Sequence, residues 1–66
     1  MSEIIKKRLE KSKGKNIKIF LINNFRYFGL LKDFDKKYVE IFDYKSNSYK
    51  IIKIEEIKDL EVKDGE

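Results

Sequence analysis

Residues 17–43, IKIFLINNFRYFGLLKDFDKKYVEIFD, decide the fold. The stretch opens with Ile17, Ile19 and Leu21 alternating with Lys18 and Phe20, the period-2 pattern of a strand with one buried face. Asn23-Asn24 interrupts it, and asparagine is the non-glycine residue that best accepts the positive φ of a two-residue hairpin turn. Residues 25–34 form a long aromatic-rich run with Gly29 in its middle. Inside a strand, glycine marks a bulge, a sharp bend or a close approach of backbones. Asp35-Lys36-Lys37 turns the chain again, into a third run over 38–44. Three antiparallel strands, the second one long and bent over a glycine, are how a small sheet curls toward a barrel.

Further along, residues 49–54 and 57–62 carry Ile51, Ile52, Ile54, Ile57, Leu60 and Val62 and read as a fourth and fifth strand. Glu55-Glu56 makes the tight turn between them, and the short polar segment 45–48 joins strands three and four. Before the stretch lies a helix over 3–12, with Ser2 as its cap and Glu3 set favourably against its dipole. Ile5 and Leu9 share one face with Ile4 beside them, Lys6, Lys7 and Glu10 point away, and Gly14 stops the helix just past Ser12. The expectation is a mostly β protein: a small, five-stranded, strongly bent antiparallel barrel with an N-terminal α-helix, its strands at about 16–22, 25–34, 38–44, 49–54 and 57–62. The last residues, 63–66, are expected to fray.

Sixty-six residues make one domain, and a chain of that size buries only about 60% of its unfolded surface, so it usually needs added support. With no cysteine and no histidine, disulfides, classical zinc sites and Ser-His or Cys-His nucleophile pairs are excluded. No two carboxylates stand out as an acid–base pair, and no glycine-rich loop is present to cradle phosphate. The chain therefore reads as no enzyme, with no cofactor, no metal and no small-molecule substrate. Self-association is the remaining source of support, and the last two strands would otherwise be open edges. The sequence has no apolar run of membrane-spanning length and no signal-peptide pattern, which makes it a soluble, cytoplasmic protein by expectation. Its abundant isoleucine and lysine fit a thermophile's ion-pair chemistry or, equally, an AT-rich genome.

The net charge of +4 is uneven. Lys6, Lys7, Arg8, Lys11, Lys13 and Lys15 face only Glu3 and Glu10 in the first fifteen residues, whereas residues 16–66 balance. Attraction for nucleic acid must start at that segment or at local clusters. The hairpin holds one such cluster, Phe20, Asn24, Phe25 and Arg26, in which rings to stack bases accompany a guanidinium for phosphate. The alternative is that Phe20 and Phe25 simply pack.

Asn23 at the turn, Gly29 in mid-strand and Phe34-Asp35 closing the second strand resemble the first motif of the Sm/LSm superfamily, with the spacing of its Hfq-like members. Residues 51–62 stand in the place of the second motif. The resemblance implies a homo-oligomeric ring, hexameric or heptameric, in which the fourth strand of one subunit pairs with the fifth of the next, and it implies RNA as the partner. It also implies roles for particular residues. Phe20, Asn24, Phe25 and Arg26 match positions of the face that takes A-rich RNA, with Asn24 in place of a glycine. Lys11 and Lys13 fall on the basic lateral rim. Lys36, Lys37 and Lys53 fall around the central pore, where relatives hold uridine with a stacking ring and an asparagine. Here those two positions are Lys37 and Val39, Ile54 follows Lys53 where a glycine is usual, and Glu55-Glu56 lie close by. Only an electrostatic contact is expected to survive there.

The reading is thus an Sm/Hfq-like RNA-binding ring protein, in RNA processing or as an RNA chaperone. Two alternatives stay open: a self-assembling scaffold without nucleic-acid binding, and a monomeric SH3-like module that binds DNA by charge.

Overall fold

Alternation becomes burial along the first strand: Ile17, Ile19 and Leu21 are buried, while Lys18 and Phe20 are only partly covered. The structure is a computed structural model that describes residues 3–63. It comprises α1 (Glu3–Ser12), β1 (Asn16–Leu21), β2 (Arg26–Phe34), β3 (Tyr38–Asp43), β4 (Ser48–Lys53), a single 3-10 turn (Ile54–Glu56) and β5 (Ile57–Lys63). The strands form one antiparallel sheet in the order β4-β3-β2-β1-β5. The proposed Ser2 cap and residues 64–66 of the tail expected to fray lie outside the described residues, whereas Lys63, the first residue of that tail, is the last residue of β5 and pairs with Asn16.

Gly29 explains the bend. A Cβ on it would sit 2.1 Å from the Phe42 carbonyl oxygen and 2.9 Å from the Phe42 carbonyl carbon, both backbone atoms of β3. No side chain fits there, so the residue lets two strands approach where the sheet folds over itself. Register shifts at Leu31–Asp33 against β3 and at Phe20–Leu21 against β5 add the local twist that bulges bring. The sheet is strongly bent but not closed: β4 and β5 are its two edges and are not paired with each other. The 3-10 turn carries the chain from one edge to the other, tied by Ile54 N–H to the Lys37 carbonyl (2.8 Å) and Ile22 N–H to the Glu56 carbonyl (2.9 Å).

One cluster forms the core: Leu9, Ile17, Ile19, Leu21, Leu31, Val39, Ile41, Ile52, Ile54, Ile57 and Leu60, with Ile5, Tyr27, Phe34 and Val62 packed against it. Leu9 is the helix's anchor, a burial that contributes about 1.5–3 kcal/mol. The Arg8 guanidinium adds a second tie by donating to the Leu60 carbonyl beside Asp59 of β5. Ile4 is exposed instead of joining Ile5 and Leu9, because it lies off the stripe that those two residues share. Gly14, at φ 83°, ends the helix and donates to the Leu31 carbonyl (2.9 Å).

The first hairpin turn differs from the two-residue form expected. Leu21 N–H donates to the Phe25 carbonyl (2.8 Å) and Asn24 N–H to the Leu21 carbonyl (3.0 Å), so residues 22–24 make a three-residue loop. Only Asn24 is left-handed, at φ 72°. This is the type I turn followed by a left-handed residue that three-residue hairpins favour, and it starts β2 at Arg26. Among the described residues no helix is long and apolar enough to cross a membrane.

Candidate nucleic-acid interface

Two clefts collect most of the residues singled out in the sequence. The larger, about 450 Å³, is lined by Lys18, Phe25, Arg26, Tyr27, Phe28, Asp43 and Lys45. Its shape begins in the hairpin turn. Asn23 Oδ1 accepts the Phe25 N–H (3.1 Å), and Asn24 supplies the left-handed residue. Phe25 is thereby carried out on a hydrogen-bonded turn, 63% exposed. Register does the rest by setting Phe28 opposite Lys18 and Arg26 opposite Phe20. Lys45 comes from the β3–β4 loop. That loop is built on Asp43, a buried carboxylate that accepts the Lys45 N–H (3.3 Å) and the Ser46 hydroxyl (2.8 Å). The groove therefore offers three cations and exposed rings, and its one carboxylate is already occupied by its own loop. Of the four hairpin residues proposed, Phe25 and Arg26 line it. Phe20 is half-buried beside it on β1, and Asn24 acts through its backbone conformation. Lys18, Phe28 and Lys45 were missed. The outward positions of β1 and β2 pointed to the first two, but nothing local points to Lys45.

The second cleft, about 270 Å³, brings together Lys36, Lys37 and Lys53 with Tyr38, Ile54 and Glu55. Asp35 builds its turn: one carboxylate oxygen accepts the Lys37 and Tyr38 N–H groups, both at 2.8 Å. These two hydrogen bonds hold the Asp35 carboxyl below its usual range. The tie from Ile54 N–H to the Lys37 carbonyl draws the 3-10 turn, and with it Lys53, against the lysine turn. Tyr38 is the residue that sequence reasoning overlooked. The stacking position was matched to Lys37, yet the next residue sets a ring in the same cleft, 41% exposed. Glu55 lines this cleft and Glu56 does not, so one carboxylate and not two opposes the three lysines.

The proposed rim residues differ from each other. Lys11 is exposed in the last turn of α1. Lys13 pairs with Asp33 at 3.2 Å. The Asp33 carboxyl lies below its usual range, first through the Phe34 N–H and then through Lys13. Both partners are more than half exposed, so the pair adds little stability, but it halves the free charge of that rim.

No family model and no curated protein matches the chain. Among solved structures, the 1.55 Å crystal structure of the pleiotropic translational regulator Hfq superposes with a TM-score of 0.78 at 24% identity, over 91% of this chain and all of that one. At that identity the likeness speaks to architecture, and on it the chain has the Sm-like fold of Hfq.

Proposed function

We propose that this chain is an Sm/Hfq-like RNA-binding protein that works as a homo-oligomeric ring in the cytoplasm, in RNA processing or as an RNA chaperone. The observation that carries the reading is the hairpin groove. Lys18, Arg26 and Lys45 surround Phe25 and Phe28, the combination of cations and stacking rings that tracks a single-stranded backbone. Its fold likeness to Hfq, described as a translational regulator, points the same way. Two unpaired edges support self-association: β4 carries the 69% exposed Ile51, and β5 stands free at the other end of the sheet. A hexamer or heptamer formed by β4–β5 pairing would cover both. The pore-turn cleft, with Lys36, Lys37, Lys53 and Tyr38, is a second and weaker contact in this reading, and Lys11 with Lys13 gives sequence-independent attraction.

Light-scattering mass with and without short A-rich and U-rich RNA tests this proposal. A ring that binds RNA with an affinity falling steeply with salt is expected. A monomer at micromolar concentration would remove the ring, and a ring that ignores RNA would leave the scaffold.

A further inference from the structure

Beyond the hairpin groove, the far side of the sheet carries a continuous row of rings. Phe28 and Tyr44 meet at 5.6 Å between centroids, Tyr44 and Phe42 at 5.9 Å, and Phe42 and Tyr49 at 5.2 Å. The core takes no part of this row, because it uses the opposite face, with Leu31, Val39, Ile41 and Ile52. Register explains the alignment: Leu30 faces Phe42 and Phe42 faces Tyr49 across three strands. Three of the four rings remain exposed, Tyr49 most of all at 59%. A connected aromatic surface of this kind marks a binding face on a soluble protein.

Resting on the RNA-binding reading above, we propose that this row prolongs the hairpin groove into a base-stacking track for single-stranded nucleic acid, running from Phe25 across Phe28 and Tyr44 to Tyr49. Charge decides for nucleic acid over a protein partner. The groove end of the row is bordered by Lys18, Arg26 and Lys45, while Asp43 is buried and hydrogen-bonded within its loop. Glu61 opposes Lys18 across β1 and β5, so Arg26 and Lys45 carry most of the phosphate attraction. Tyr44 is set in place beforehand: its hydroxyl donates to Asn16 Oδ1 at 2.6 Å, which fixes the ring before any base arrives. Preorganised rings lose little entropy on binding. Stacking on a ring face accepts any base, so the track has little sequence preference.

The test compares unstructured 12-nucleotide A, U and C strands, as RNA and as DNA, by fluorescence anisotropy, with a duplex as control. Tyr49→Leu on β4 and Tyr44→Leu in the turn after β3 keep apolar bulk but remove the π-face, and solution mass is recorded for each variant. The expected result is at least a tenfold loss for every single strand with either variant, at unchanged mass, and weak binding of the duplex. An equal loss on RNA and DNA identifies base stacking, whereas a loss confined to RNA makes the ribose the feature recognised and overturns a track that reads bases alone. If both variants bind like the parent while Phe25→Ala with Arg26→Ala does not, the track is wrong and the groove stands. A parent that binds no strand sinks the underlying RNA reading itself. A change in mass without a change in affinity assigns the rings to contact between copies and overturns the proposal.

Discussion

The hairpin groove and the lysine-turn cleft use similar chemistry on different supports. Both set a ring among lysine or arginine side chains at the end of a β-turn, and both turns are held by a side-chain oxygen accepting backbone N–H groups. In the hairpin that oxygen is the Asn23 amide, which is neutral at every pH. In the lysine turn it is the Asp35 carboxylate, which is charged and titrates. The groove's internal carboxylate, Asp43, is buried and engaged, whereas the cleft's Glu55 is exposed beside its lysines. Equal numbers of cations are therefore expected to attract phosphate unequally. What decides is where the neighbouring carboxylates are spent.

Gly29→Ala is expected to break the comparison most severely. The new Cβ would strike the Phe42 backbone, which cannot move without separating β2 from β3. That separation would also pull Phe28 and Lys45 of the groove apart. A loss of at least about 3 kcal/mol in urea unfolding is expected, at or above the upper end for overpacked sites. A variant within 0.5 kcal/mol of the parent, the size of an ordinary surface change, would refute the close-approach explanation.

Next in size, Phe25→Ala with Arg26→Ala should weaken A-rich RNA binding by at least tenfold, about 1.4 kcal/mol, with assembly unchanged. Normal assembly together with parental affinity would reduce the hairpin to a packing element. At the other cleft U-rich RNA should bind only weakly at physiological salt. Glu55→Gln should tighten it two- to threefold, by roughly 0.4–0.7 kcal/mol. A submicromolar U-specific complex in the parent would show that Tyr38 and the lysines form a stronger site than the Glu55 argument allows.

Lys11→Ala with Lys13→Ala should lower affinity for all sequences alike and flatten the dependence of log K on log salt, by about 0.7 for each phosphate contact removed. Since Lys13 is already paired with Asp33, the change should fall short of two full contacts. A sequence-selective loss would mean that the rim reads bases.

The smallest effect separates the two turns by pH. The Asp35 pKa is lowered on folding, so its stabilising contribution is complete above the ordinary aspartate value of 3.8 and is lost as pH falls through the lower folded value. Acid titration followed by NMR should move the Lys37 and Tyr38 amide resonances together, while that of Phe25, bonded to the Asn23 amide, stays flat. Parallel movement of all three would show that the whole sheet, and not the Asp35 turn, responds.

The alternation of Ile17, Ile19 and Leu21, the glycine at 29 and the polar turns at 23–24 and 35–37 determine, in sequence alone, a bent antiparallel sheet and the face that it buries. A period of two is enough to assign faces, because a side chain's side of the sheet depends only on its own strand. What the period cannot give is the neighbour across the ladder. Cross-strand partners depend on register, and register depends on loop length and bulges. The extra residue in the first hairpin loop and the shift between Leu31 and Asp33 were invisible for that reason. So were the residues that they bring together: Lys18 beside Phe28, Lys45 at the groove, and Tyr38 rather than Lys37 as the ring among the lysines of the second cleft. The Lys13–Asp33 pair, which joins residues far apart in the chain, is of the same kind. Residue type and spacing chose the strands and the buried face. Tertiary structure chose which charges meet, because charge pairing is a matter of ångströms across strands and not of order along the chain.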